Sequence, residues 1–455
     1  MSRLTSRSRE LLLLLCSTGL LALMLFGLET SQGRTLSKEM LYIIGGFAGV
    51  YAIAHLAIAF LAPHADQVLL PVVSLLNAVG LVVIYRLDLA ERPGYGPLAE
   101  RQMLWSLVGV GLMALTLIVV RDHKALSRYS YLLGLLGLIL LALPLVWPQP
   151  PGYEDARIWL WLGPFSIQPG EFSKILLLIF FAQLLAQKRA LFTVAGRRIL
   201  GLTLPRLRDL APILMVWAIA ILIMAVSNDF GPALLLFATV LGMVYFATDR
   251  ASWLFIGLAL VAVGGYAVYQ VSAKIQERVS NFIDPFADFE GIGNQPANAL
   301  ISLSWGGITG TGLGYGHPEL VPVAHSDYIL AAIGEELGFA GIAAVLCLFA
   351  IFVTRGFRAA MQVRDSYGKL LASGLALTIA IQIFVVAGGV SAMLPMTGLT
   401  TPFMSAGGSS VMANYILLGL LLRISNSANR PADYDAVAEG TAQRFGRERE
   451  AVAAR

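Results

Sequence analysis

Long apolar stretches recur along this chain, and they constrain its fold more than any other feature of the sequence. A helix of roughly 20 apolar residues is long enough to cross the ~30 Å hydrocarbon core of a bilayer. Short polar segments separate twelve such stretches, at 10–28, 40–62, 67–86, 103–120, 127–147, 168–187, 209–227, 230–248, 251–272, 327–354, 369–390 and 409–424. The sequence therefore predicts an all-α, polytopic integral membrane protein of about twelve transmembrane helices.

The composition agrees with a membrane protein. Hydrophobic residues make up 57% of the chain and charged residues only 13%, whereas soluble domains contain about 25% charged residues. The formal net charge is +4, but the basic residues lie in short loops rather than in one run or face, so we expect no nucleic-acid partner. The first apolar stretch follows three arginines as in a signal peptide, yet it is long and lacks an A-x-A cleavage site, so we expect a retained helix.

The distribution of lysine and arginine predicts the orientation. Segments on the cytoplasmic side of a membrane carry an excess of these residues. If the N-terminus lies inside, 23 of the 32 basic residues fall on the cytoplasmic side and eight on the outer side, while Lys174 lies within a span. We therefore expect a multi-pass protein of the cytoplasmic membrane with both termini in the cytoplasm.

One outer segment, residues 273–326, is much longer than the other connections. Loops of this length are usually functional or disordered, and its apolar residues indicate that this one packs against the membrane surface or the bundle. We expect a re-entrant helix near Asn298–Trp305. Six glycines at 306–316 allow tight turns and close approach to a ligand, although a flexible connector has the same pattern.

The long segment ends at His325-Ser326-Asp327, where the next span begins. This position predicts a carboxylate at the outer mouth of the bundle. Aspartate is also a favoured helix N-cap, and a capped carboxylate stays ionised, so a structural and a functional role for Asp327 are compatible. Asp229 begins another span and is open to the same two interpretations.

Ionisable residues inside the predicted spans are costly and are candidates for function. Glu171 and Lys174 lie three residues apart on one helical face, and the alternative for them is a buried ion pair that fixes helix register. Arg157 lies just before this span, near the outer surface, where it could contact a phosphate. Glu335 and Glu336 lie deeper in the span after Asp327, where they could support the site or pair structurally, and we favour the structural role.

Seven ordered blocks of sequence resemble the SEDS family of shape, elongation, division and sporulation proteins. They are QPGEFSK, NDFGPA, RVSNFIDPF, GGITGTGLGYG, AHSDYILAAIGEELG, LPMTGLTTPF and SAGGSS. The resemblance covers Gln67 to Leu422 and implies a ten-helix membrane core at 67–424. It makes residues 1–66 a cytoplasmic N-terminus with two additional helices, as in actinobacterial elongation members, and leaves 425–455 as a cytoplasmic, disordered tail.

The resemblance implies a peptidoglycan glycosyltransferase that polymerises lipid II on the outer face of the membrane during cell elongation, with a class B penicillin-binding protein, a transpeptidase, as partner. When the family's motifs are matched to this sequence, the essential acidic residue corresponds to Asp327. The intramembrane pair corresponds to Glu171 and Lys174, and the arginine that precedes it corresponds to Arg157. The chain departs from the family pattern at Gly170, at Ser227-Asn228 and at Ala406. Ala406 replaces a tyrosine, so the hydrogen bond of a tyrosine hydroxyl is not expected there.

A mechanism follows as a hypothesis from these residues. Asp327 acts as the general base on the acceptor hydroxyl, and the pyrophosphate leaving group needs cations held in place. The candidates for that binding are Arg157, Lys174 and Arg278, together with Glu171. No metal ligand motif is present, but a Mg or Mn ion between the pyrophosphate and a carboxylate is possible. We expect supporting roles for Asp229, His325, Ser326 and Ser409.

Three other functions remain open at this point. A lipid II flippase would also use a buried pair such as Glu171 and Lys174, a division-type polymerase would share the same chemistry, and a non-catalytic scaffold for the transpeptidase would not need Asp327. The polar candidates cluster at the outer ends of the predicted spans, with little comparable inside. This argues against a flippase, which needs access from both faces.

Overall fold

The computed structural model describes residues 7–34, 37–90, 97–150, 157–163, 165–193, 197–199, 202–204 and 207–430. The described residues form fifteen α-helices, one 3₁₀ turn and two short antiparallel hairpins. The helices are α1 (Ser8–Ser31), α2 (Lys38–Leu61), α3 (Leu69–Asp88), α4 (Leu98–Val119), α5 (His123–Arg128), α6 (Ser130–Val146), α7 (Pro169–Thr193), α8 (Leu207–Val226), α9 (Phe230–Thr248), α10 (Ser252–Val271), α11 (Ala273–Ile283), α12 (Asn294–Gly306), α13 (Ile329–Gln362), α14 (Ser366–Val390) and α15 (Gly408–Ala428). The hairpins pair β1 (Leu160–Leu162) with β2 (Phe165–Ile167) and β3 (Arg197–Ile199) with β4 (Leu202–Leu204).

All twelve predicted stretches are helical. Ten helices in the described part of the chain are long and apolar enough to cross a membrane, namely α1, α2, α3, α4, α7, α9, α10, α13, α14 and α15. The two other positions hold shorter apolar helices, Ser130–Val146 and Pro212–Val226. The prediction of an all-α polytopic membrane protein is confirmed.

The interior of the bundle is built around α3 and α15. Helix α3 packs against α1, α4 and α13, and α15 packs against α4, α7 and α13. Both are buried on nearly all sides, which explains why apolar residues occur on every face of these helices rather than in one stripe. Helix α10 lies at the periphery, with only Ser252, Trp253 and Gly257 buried.

The two ends of the described chain lie at the same end of the bundle. Arg9 at the start of α1 and Arg430 after α15 line one cavity, together with residues near the end of α13. We call this the terminal end, and we call the opposite end, where Asp327 precedes α13, the Asp327 end. An even number of spans requires this arrangement, since each span reverses the direction of the chain.

A cluster of buried charges lies at the terminal end, between α1 and α2. Arg7 and Glu10 form a fully buried ion pair, and Nδ1 of His55 lies 2.6 Å from Oε1 of Glu10. Arg7 also donates to the carbonyls of Ala62, Pro63 and Ala65. The expectation of little comparable to the outer polar candidates at the cytoplasmic ends of the spans is therefore wrong. These groups satisfy one another, and they join α1, α2 and the connection that follows α2.

The long segment between α10 and α13 is largely ordered. It contains α11, α12 and a 3₁₀ turn at Pro318–Leu320, and α12 packs against α13 through Ala299 and Ser302 among its buried residues. The predicted helix near Asn298–Trp305 is present, and its re-entry into the membrane stays a prediction.

The glycine-rich part of this segment is fixed to a break in α13. Gly338 has φ +67° and ψ −169°, which interrupts the helical hydrogen bonds and leaves backbone groups that need other partners. The glycine-rich loop supplies them: Thr311 N–H donates to the Glu335 carbonyl at 2.9 Å, and Phe339 N–H donates to the Gly307 carbonyl at 2.9 Å. The alternative of a flexible connector is therefore wrong.

Side chains reinforce this junction. Nε of Arg86 on α3 lies 3.0 Å from Oε1 of Glu336, and its Nη2 donates to the Gly316 carbonyl at 2.7 Å. Glu335 accepts from the hydroxyl of Ser302 and from the N–H of His317. The prediction of structural roles for Glu335 and Glu336 is confirmed, because both hold the long segment onto the bundle.

Candidate active site

A pocket of about 150 Å³ opens at the Asp327 end of the bundle. Its walls come from α11, α12, the start of α13 and the connection after α14, so the long segment forms one side and the helical bundle the other. Asp327 and Arg278 are the charged residues that line it, and Tyr328 and Asn281 are among its polar neighbours. The pocket therefore brings a carboxylate and a guanidinium together from segments far apart in the sequence.

Asp327 is not the cap of α13. The N-cap is Tyr328, and no side chain makes a cap hydrogen bond there. Burial raises the pKa of Asp327 to about 6, although a hydrogen bond from its own backbone N–H and the nearby Arg278 act in the opposite direction. The expectation of a helix-capping role for Asp327 is therefore wrong. A pKa near 6 still leaves the carboxylate ionised at neutral pH, and it suits a base that accepts a proton in that range.

The segment that carries Asp327 is held by the SAGGSS motif. The hydroxyl of Ser405 donates to the Ser326 carbonyl at 2.5 Å and accepts from the N–H of Thr401 at 2.8 Å. The N–H of Ala406 donates to the His325 carbonyl at 2.8 Å. Since a backbone group makes this contact, the replacement of tyrosine by Ala406 does not remove it. Burial lowers the pKa of the His325 side chain.

Arg278 on α11 links the pocket to a second carboxylate. Its Nη1 donates to the Thr397 carbonyl at 3.2 Å. Burial lowers the pKa of its guanidinium, while the charges of Asp229 and Asp327 raise it. Arg278 therefore interacts electrostatically with both carboxylates.

Asp229 occupies the N-cap position of α9, but its side chain makes no cap hydrogen bond. Burial and then the nearby Glu171 raise its pKa to about 6, and Lys274 and Arg278 act to lower it. The interpretation of Asp229 as a simple helix cap is wrong. It instead connects the pocket electrostatically to the intramembrane pair on α7.

That pair is a direct, buried contact. Nζ of Lys174 lies 2.6 Å from Oε2 of Glu171 and 3.5 Å from Oε1 of Gln382 on α14. Gln382 in turn donates to the Thr400 carbonyl at 2.7 Å. Sequence reasoning missed Gln382, although a fully buried polar residue in an apolar span is the same signal that identified Glu171.

Ser409 and Arg157 lie away from the pocket. The hydroxyl of Ser409 accepts from the Gln168 N–H at 2.9 Å and so fixes the entry to α7. Arg157 is exposed, and the hydrogen bond described for it is to the Leu145 carbonyl at 3.5 Å. The structure therefore does not bring Arg157 together with Asp327 and Arg278.

The donor set of this site does not fit a resident divalent cation. Within the described ranges, no group of three His, Cys, Asp or Glu side chains is arranged to hold a metal ion. The carboxylates of Asp229 and Asp327 interact with the guanidinium of Arg278. A Mg or Mn ion shared between substrate phosphates and one carboxylate needs only one or two protein ligands, so that possibility stays a prediction. Arg278 and Lys174 supply positive charge from the protein itself.

Residues 66–430 match the FtsW/RodA/SpoVE family model, described as cell cycle protein. The peptidoglycan glycosyltransferase RodA of Mycobacterium tuberculosis is 49% identical to this chain over 431 residues, which cover 94% of this chain and 92% of that protein.

Two solved structures share the fold. One, described as structural coordination of polymerization and crosslinking by a peptidoglycan synthase complex, contains a chain with a TM-score of 0.64 and 27% identity, covering 81% of this chain and 99% of that chain. The rod shape determining protein RodA of Thermus thermophilus has a TM-score of 0.58 at 24% identity, over 81% of this chain and 98% of that one.

Proposed function

The chain belongs to the FtsW/RodA/SpoVE family, and on that premise we propose that it is a peptidoglycan glycosyltransferase that polymerises lipid II into glycan strands during cell elongation. The relative at 49% identity is named a peptidoglycan glycosyltransferase RodA, and its match extends through 94% of this chain. The structural observation that supports the proposal is the pocket, which is lined by both Asp327 and Arg278.

The reaction takes place on the outer face of the cytoplasmic membrane, with both termini in the cytoplasm. This orientation is supported by the 23 basic residues assigned to the terminal side against eight on the other. In this orientation the Asp327 end of the bundle faces the outer side of the membrane.

Asp327 is the general base. Its ionised carboxylate takes the proton from the acceptor sugar's 4-hydroxyl as that oxygen attacks the anomeric carbon of the donor. The new glycosidic bond forms, the bond from the anomeric carbon to the pyrophosphate breaks with inversion, and the lipid pyrophosphate leaves. One carboxylate is sufficient for this step, because the leaving group needs no proton from a second acid, unlike the paired acids of glycoside hydrolases.

Arg278 stabilises the charge that develops on the pyrophosphate. It lines the same pocket as Asp327. A guanidinium held in a partly dehydrated site can form bidentate hydrogen bonds to a phosphate. Lys174 is a second cation near this end, but its ammonium is engaged by Glu171. We therefore assign Arg278 direct contact and the Glu171–Lys174 pair the role of positioning Asp229 and the entry to α7.

The pocket is too small for a complete substrate. Its volume of about 150 Å³ lies below the roughly 300–1,000 Å³ of sites for drug-sized ligands. It holds the reacting ends of the sugars, while the lipid tails remain in the bilayer and the peptide stems remain in solvent.

A class B penicillin-binding protein, a transpeptidase, is the partner that we propose. One solved relative comes from a complex described as coordinating polymerization and crosslinking. A polymerase that releases uncrosslinked strands needs such an enzyme to join them into a network.

The test is lipid II polymerisation by the purified chain, with and without its transpeptidase, comparing the parent with Asp327→Asn. Loss of a general base typically costs about 10²–10⁴ in rate, so the parent should make glycan strands and the variant almost none. Glu290→Gln is the matched control, because it removes an exposed carboxylate from the same long segment.

Other outcomes separate the alternatives. Equal polymerisation by parent and Asp327→Asn would overturn the general base. A parent that is inactive even with its partner, but that moves a fluorescent lipid II analogue across liposomes, would instead support a flippase. A parent that only stimulates the transpeptidase would support a scaffold.

A further inference from the structure

A second and larger cavity lies at the terminal end of the bundle, far from Asp327. Its volume is about 910 Å³. Residues of the two additional helices line one side, including Arg9 and Phe60, and residues of the core line the other, including Arg355 and Arg358. The cavity therefore lies at the junction between the N-terminal extension and the core.

The cavity carries an excess of positive charge. Four arginines line it, Arg9, Arg355, Arg358 and Arg430, against one carboxylate, Asp66. Arg355 is paired with Asp66, with Nη1 3.3 Å from Oδ2. Arg9 and Arg358 are exposed, and neither has an ion pair within the described residues, so both guanidinium groups are available to an anion.

Apolar side chains continue from this charged cavity toward the membrane. Leu13 on α1 and Phe60 on α2 both line the cavity, and 41% and 59% of their surfaces are exposed. A soluble anion gains nothing from such a surface. A ligand with an anionic head and acyl chains uses both parts, since its chains lie along the apolar helices while its head contacts the arginines.

The floor of the cavity is preformed. Residues 62–68, which join α2 to α3, are held by the terminal end of α15: Nη1 of Arg423 donates to the Leu61 carbonyl at 3.0 Å, and the N–H of His64 donates to Oδ1 of Asn426 at 2.9 Å. Arg7 also donates to the Ala65 carbonyl at 2.9 Å. A rigid floor lowers the cost of ordering the site when a ligand binds.

The position along α13 places this cavity at the opposite membrane face from the active site. Asp327 precedes α13, and Arg355 and Arg358 lie near its other end. From the break at Gly338 to Arg355 the helix rises by about 25 Å at 1.5 Å per residue. This distance, added to the first turns of α13, spans the hydrocarbon core of a bilayer.

We propose that this cavity binds the headgroup of an anionic phospholipid from the leaflet at the terminal end. Arg9 and Arg358 contact the phosphodiester, and the acyl chains lie along Leu13 and Phe60. Because Arg9 belongs to the extension and Arg358 to the core, the lipid joins the two parts of the protein.

The test uses the full chain and native mass spectrometry, with titration of phosphatidylglycerol and of phosphatidylcholine. The parent should bind phosphatidylglycerol more tightly. A basic residue near an anionic headgroup contributes about fivefold in affinity, so Arg9→Gln/Arg358→Gln should weaken phosphatidylglycerol binding by about thirtyfold. High salt should weaken binding by the parent in the same direction.

The matched control is Arg121→Gln/Arg128→Gln, which removes two exposed arginines at the ends of the connection between α4 and α6, outside the cavity. It should bind phosphatidylglycerol as the parent does. Equal affinity of the parent and the Arg9/Arg358 variant would overturn the proposal, as would equal binding of phosphatidylcholine. Binding of inorganic phosphate as tight as that of the lipid would assign the cavity to a soluble anion instead.

Discussion

Nζ of Lys174 lies 2.6 Å from Oε2 of Glu171, and both side chains are buried where α7 begins. Gln382 extends this contact to α14 and to the carbonyl of Thr400. The charge of Glu171 in turn raises the pKa of Asp229. The pair therefore connects the interior of the bundle to the carboxylates at the Asp327 end, in addition to any effect on helix register.

Substitutions in this pair should separate its structural role from its functional role. Lys174→Met leaves Glu171 buried without a cation, so we expect about 3–5 kcal/mol of lost stability. Glu171→Gln/Lys174→Met removes both charges and should recover much of that loss. Chemical unfolding in detergent measures the stability, and a double-mutant cycle gives the coupling. If the double variant is as unstable as Lys174→Met, the contact is not the source of the loss.

The rate of polymerisation should rise with pH through about 6. Burial raises the pKa of Asp327 to about 6, so below that value the base is protonated and the rate should fall about tenfold per pH unit. The measurement is kcat/KM for lipid II between pH 5 and 8. Asp229 has a similar pKa of about 6, so Asp229→Asn is the control and should keep this acid limb. A flat profile in the parent would contradict the assignment.

Gly310→Ala should destabilise the protein. Gly310 has φ +83°, and an added Cβ would lie 2.1 Å from the Glu336 carbonyl oxygen. The left-handed backbone alone costs an alanine about 1–2 kcal/mol, and the steric conflict adds to it. Thermal unfolding in detergent checks this. Gly264→Ala on α10, with open space around its Cβ position, should be neutral, and equal effects of the two changes would contradict the proposed fixed junction.

Ser405→Ala should lower polymerisation more than stability. The Ser405 hydroxyl holds the Ser326 carbonyl, next to Asp327, and the loss of one hydrogen bond costs about 0.5–1.5 kcal/mol. Even a small displacement of the base slows the reaction, because catalysis depends on its position. Ser391→Ala is the control, since Ser391 donates only within its own helix region, to Ala387 and Gly388. A normal rate in Ser405→Ala would show that the SAGGSS contact does not position Asp327.

Several features of the site were predictable from local sequence. The motif that ends in Asp327, the i, i+3 spacing of Glu171 and Lys174, and the aspartate at Asp229 are each visible in a short stretch. Their surroundings were not, because the caps expected for Asp229 and Asp327 depend on backbone geometry that neighbouring segments impose. Gln382 and the contact of Ala406 with the His325 carbonyl likewise arise from residues distant in sequence.

The sequence by itself determined the membrane architecture, because the cost of exposing backbone groups to lipid forces each long apolar stretch into a helix. It also determined the family, through motifs preserved in order along the chain. Only the tertiary structure decided which polar groups meet. It placed Arg278 near enough to Asp327 and Asp229 to interact with both electrostatically, left Arg157 at the surface, and fixed the glycine-rich loop to the break at Gly338. Those outcomes depend on helix packing and on the partners available to buried polar groups, and local sequence contains neither.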